Sequence, residues 1–221
     1  MRENRPLARD PMEAKTTQRV VAGGTSLEVL GGTAAAVLAI IGLTAYRAFD
    51  MCAIGVIAIG CALLVHGGAI AARWKDALMR IEDERGERTE LASGVGTEVF
   101  AGAAGIVLGI LALANVMPYV LLPVAAIVFG GALLLGGSAQ PELEKLAPVT
   151  DARFSRVAHQ AVQASTGVMV LVGIASAVLG ILGLIHVAPF LTMTLVAVLC
   201  IGGALLLAGS SLTARFVRRL A

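Results

Sequence analysis

Two carboxylates and one imidazole are the residues of this chain best placed to do chemistry. Glu28 and Glu98 open long apolar runs at equivalent places, EVLGGTAAAVLAIIGL at 28–43 and EVFAGAAGIVLGILAL at 98–113. A third run, MVLVGIASAVLGILGL at 169–184, carries Met169 there instead. Ionisable groups within apolar runs are costly to bury and are candidates for function. Each Glu lies about one turn inside its span, where it can reach an interface and complement the positive N-terminal end of a helix. That is the structural reading. The functional one is a proton- or cation-binding site or an internal ion pair. If the first turn centres near residues 47–48, Glu28 faces residues 66–68, and His66 is there. A Glu28–His66 contact would be pH-sensitive, because histidine titrates near neutrality. The corresponding positions in the other two copies are Gly136 and Ala208, so Glu98 has no such partner within its own copy.

Other chemistry is sparse. His159 and His186 are scattered, and three histidines in this pattern make no metal cluster. Cys52, Cys61 and Cys200 form no C-x-x-C pair and read as small packing residues. No Ser-His-Asp arrangement, phosphate-binding glycine loop or basic-aromatic nucleic-acid surface is visible. The expectation is a non-enzymatic protein with no cofactor, no metal and no nucleic-acid partner.

The elements that would hold these residues are membrane spans. Hydrophobic residues make up 57% of the 221-residue chain and charged ones 14%, with a mean hydropathy of +0.87; soluble domains carry roughly 25% charged residues. The three runs are each followed by a second apolar stretch, with GCALLVHGG at 60–68, GGALLLGGS at 130–138 and GGALLLAGSS at 202–211. A span needs about 20 apolar residues, which places six near 24–45, 51–72, 94–114, 117–137, 165–186 and 189–210. In lipid every backbone polar group must be paired within its own segment, so the spans are helices. Residues 1–19 are polar and charged, unlike a secretory signal, so the first span is expected to remain as an anchor.

Charge position predicts orientation. Five Lys and Arg residues precede the first span, five lie at 73–93, three at 139–164 and three after the last span; Arg47 alone lies on the other side. The positive-inside rule then puts both termini and both long loops in the cytoplasm. The chain divides into an N-terminal segment 1–23, repeat 24–72, charged loop 73–93, repeat 94–137, connector 138–164, repeat 165–210 and basic tail 211–221. The 73–93 loop reads as a charged helix extending from span 2, with Gly86 weakening its end. In the connector, Pro141 and Pro148 argue against one continuous helix from span 4 to span 5, and 151–164 reads as a short interfacial helix. Association with a second copy or a protein partner would use the loops at 73–93 and 139–164.

Three pairs entering from one side are parallel repeats, unlike the inverted repeats of many transporters. The expected fold is therefore an all-α membrane protein, six transmembrane helices as three parallel two-helix hairpin repeats in a pseudo-threefold arrangement. Its odd-numbered helices share a stripe of small residues spaced three, four, three. These are Gly32, Ala35, Ala39 and Gly42; Gly102, Gly105, Gly109 and Ala112; and Gly173, Ser176, Gly180 and Gly183. That spacing occupies one helical face, and small residues let helices approach closely in lipid. The odd helices are expected to pack along this face, on each other or on their hairpin partners.

The segments VLGILALANVMP…GGALLLGG and VLGILGLIHVAP…GGALLLAGS resemble the HdeD family of short-repeat membrane proteins, over most of residues 24–211. The first copy departs from the pattern, with Ala48 where the others have Pro118 and Pro189. The resemblance implies a six-helix bacterial inner-membrane protein linked in some members to acid or stress resistance. Two classes of function remain, a non-enzymatic stress-related or anchoring protein of this type, and a small transporter or channel with a proton-sensitive site at the cytoplasmic end.

Overall fold

The structure, a computed structural model, describes residues 29–78, 88–145, 152–187 and 189–220, with side chains described over 29–68, 96–136, 167–187 and 189–208. These residues form six helices, α1 Val29–Leu43, α2 Ala48–Leu78, α3 Arg88–Leu113, α4 Pro118–Lys145, α5 Ala152–Leu184 and α6 Phe190–Leu220. Five contain segments long and apolar enough to cross a membrane, namely Ala48–Gly68, Gly96–Leu113, Pro118–Gly136, Gly167–Leu184 and Phe190–Ala208. The described part of α1 is shorter, at 29–43.

The helices outrun the apolar segments. α2 continues to Leu78 and α3 starts at Arg88, so both ends of the 73–93 loop are helical. α4 runs through Pro141 to Lys145. The expected break therefore falls beyond Pro141, which sits in the last turn, where a lost backbone hydrogen bond disturbs little of the helix. α5 is continuous over its 33 residues, so the segment expected as a separate interfacial helix is the first part of α5. Pro148, Gly86 and the rest of 79–87 and 146–151 lie outside the described residues.

A short turn joins α1 to α2, α3 to α4, and α5 to α6. Ala45, Asn115 and His186 take left-handed backbone conformations there, with φ of 66°, 61° and 57°. Their amides donate to the carbonyls of Gly42, Ala112 and Gly183, closing the preceding helix. Pro118 starts α4 where its missing N–H has no intrahelical partner to lose. Where the first copy has Ala48 instead, an ion pair fixes the turn, with Arg47 donating to the Asp50 carboxylate at 2.7 Å. Asp50 also lies in the first turn of α2, favoured by the helix dipole.

Packing separates the helices into two classes. Among the described residues α2, α4 and α6 touch one another, whereas α3 and α5 do not meet. Nearly half of each even span is buried, against a third or less for α3 and α5. The even helices supply equivalent buried positions at Val56, Ala126 and Val198, at Ile59, Phe129 and Ile201, and at Leu63, Leu133 and Leu205. Most of these belong to one hydrophobic cluster. On the odd helices, Leu30, Phe100 and Leu171 are exposed, as are Val37, Val107 and Val178, and Ile40, Ile110 and Ile181. An exposed band of this kind suits hydrocarbon and not water.

Candidate functional site

The twelve small residues of the odd helices are all buried. At the glycines among them the facing atoms belong to even helices. A β-carbon at Gly102 on α3 would lie 2.7 Å from the Gly60 carbonyl oxygen on α2. At Gly173 on α5 it would lie 2.8 Å from the Gly130 oxygen on α4, and at Gly32 on α1, 2.8 Å from the Gly202 oxygen on α6. Each odd helix thus lies backbone to backbone against the even helix of the preceding pair, and α1 closes onto α6. Gly109 and Gly180 continue these contacts, against Ile57 and Ile127. Gly105 instead faces the Phe129 ring of its own pair, and Gly42 lies against Leu195 of α6 and Met51 of α2.

This offset brings the intramembrane polar residues together. α2 carries His66 and α3 carries Glu98, and the seam through Gly60 and Gly102 sets them at one level. His66 Nε2 lies 3.6 Å from Glu98 Oε2, with side-chain exposures of 11% and 3%. That is longer than a strong hydrogen bond and within the range of direct charge interaction. The rest of the carboxylate is accommodated by a glycine, since a β-carbon at Gly136 on α4 would collide with Glu98. As imidazolium with carboxylate, or as imidazole with carboxylic acid, the pair would be neutral overall, and any other state would bury a net charge at this contact, which is costly.

Sequence register alone points to Glu28 as the partner of His66; Glu28 lies outside the described residues. Among the described residues His66 meets Glu98 of the next pair, a contact that register within one pair does not reveal. The three-fold recurrence of glycine at 60, 130 and 202 marks a close seam on each even helix without saying which odd helix meets it.

Other interior polar groups are few. Thr194 is buried and donates its hydroxyl to the Phe190 carbonyl at 2.8 Å. Ser176 Oγ is buried with no hydrogen-bond partner among the described residues. His186 is exposed in its turn. Of the cysteines, Cys52 is buried and Cys61 exposed. Among the described residues, no three His, Cys, Asp or Glu side chains group as metal ligands. No family model, curated protein or solved structure matches the chain.

Proposed function

We propose that this chain is a non-enzymatic integral membrane protein of the HdeD type, built as three parallel hairpins about a pseudo-threefold axis. Both termini and the long loops lie on the cytoplasmic side of a bacterial inner membrane. It acts in stress physiology, or as the membrane anchor or partner subunit of a larger assembly. The three equivalent glycine contacts and turns support the repeat arrangement, and the clustered Lys and Arg residues support the orientation.

The observation that carries the reading is the apolar centre. Ile59, Phe129, Ile201, Leu63, Leu133 and Leu205 are essentially without exposure, and a conducting path needs polar groups or water along it. The alternative, a small transporter with a proton-sensitive site, draws its support from the His66–Glu98 pair. Purification from native membranes in mild detergent separates the readings. A stoichiometric protein partner, lost when 79–87 is replaced by a neutral linker, is the outcome expected for an anchor. Homogeneous protein without a partner favours the stand-alone role. Proton-driven quenching of a pH dye in proteoliposomes, abolished by Glu98→Gln, would overturn both in favour of transport.

A further inference from the structure

Three hairpins of near-identical packing can close in two orders. In the observed order α3 lies on α2, α5 on α4 and α1 on α6. In the reverse order α3 would lie on α6, α5 on α2 and α1 on α4. The glycine seams do not choose between them, because Gly60, Gly130 and Gly202 present the same close backbone approach. We propose that His66 and Glu98, with the space left by Gly136, form a polar key that selects the observed order. The inference rests on the repeat arrangement proposed above.

The discrimination follows from what each order sets opposite Glu98. In the observed order an imidazole stands 3.6 Å away. In the reverse order the position equivalent to His66 is Ala208, and His66 itself would meet the position of Met169. The buried carboxylate would then lose this imidazole, and removing one member of a buried ion pair is strongly unfavourable; a polar residue that fixes register is the best-attested use of buried polarity. Gly136 is needed in addition because a side chain there would fill the volume the carboxylate occupies. The described charged and titratable groups at this level are His66 from α2 and Glu98 from α3; α4 contributes Gly136 and α6 Ala208. Glu28, outside the described residues, holds the position on α1 equivalent to Glu98 in sequence.

The full chain tests this by disulfide trapping, with Cys52, Cys61 and Cys200 replaced by Ala. Ile57→Cys with Gly109→Cys reports α3 on α2, because Gly109 abuts Ile57, and Pro123→Cys with Gly183→Cys reports α5 on α4, because a β-carbon at Gly183 would lie 3.5 Å from that of Pro123. A protease site within 79–87 or 146–151 lets a formed disulfide hold the cut fragments together. In the parent both pairs are expected to cross-link. His66→Ala or Glu98→Ala should lower the linked-to-unlinked ratio at both seams by about tenfold, and the exchange His66→Glu with Glu98→His should restore most of it. Single variants that link like the parent, or an exchange no better than the single variants, overturn the key and leave the repeat arrangement standing. A parent that links at Ile57–Gly109 but not at Pro123–Gly183 overturns the repeat arrangement itself.

Discussion

At the scale of single residues, the three turns share a left-handed position filled by different side chains. Left-handed φ at position 45, 115 or 186 falls on Ala, Asn and His. Asn and His tolerate that region better than most residues, while a β-carbon there costs about 1 kcal/mol for Ala. Ala45→Asn copies the second turn into the first. It should raise stability by about 0.5–1 kcal/mol, seen as a melting temperature a few degrees higher in detergent. A lower melting temperature would mean that the left-handed residue is not what limits this turn. The turns were legible from Pro118, Pro189 and the end of each apolar run. The ion pair of the first turn was not, because Arg47 read only as the one basic residue on the other side, whereas it pairs with Asp50 at the head of α2.

At the scale of helices, the small-residue stripe was legible and the surface it meets was not. Spacing of three, four, three defines a face from one helix alone. The opposing surface depends on how the pairs close, which no single helix encodes. One contact nonetheless has its counterpart written in the sequence. Gly105 stands opposite Phe129, and its equivalents Ala35 and Ser176 accompany Ile59 and Ile201. The smallest residue goes with the largest, as close-packed interiors require. Gly105→Ala would drive a methyl into the Phe129 ring and should cost about 1–3 kcal/mol by overpacking. Gly105→Ala with Phe129→Ile rebuilds the combination of the first copy and should recover more than half of that loss. Additive losses in the double variant, measured by thermal melting, would show that the two sites are not coupled.

At the scale of the whole molecule, chain order and packing order differ by one step, since each odd helix serves its own hairpin and the even helix of the one before. Applied to the ends of the chain, that step sets α1 against α6 through Gly32 and Gly202, so the bundle closes without a covalent link at that seam. The offset also explains why a polar residue on one hairpin finds its partner on the next. If the three seams are equal, Gly60→Ala, Gly130→Ala and Gly202→Ala should be equal too. A methyl at each would press to 2.7, 2.6 and 2.8 Å on a carbonyl oxygen of the facing helix, and backbone cannot move aside as a side chain can. A loss of about 1–3 kcal/mol is expected for each. The neighbouring glycines supply the control, because a β-carbon at Gly131 or Gly203 meets nothing within 4 Å. Gly131→Ala and Gly203→Ala should instead stabilise by about 0.5–1 kcal/mol through helix propensity. Opposite signs at adjacent residues cannot come from composition or from detergent. A neutral Gly202→Ala beside a costly Gly60→Ala would mean that the bundle is open between α6 and α1, and that its helices form a row, not a ring.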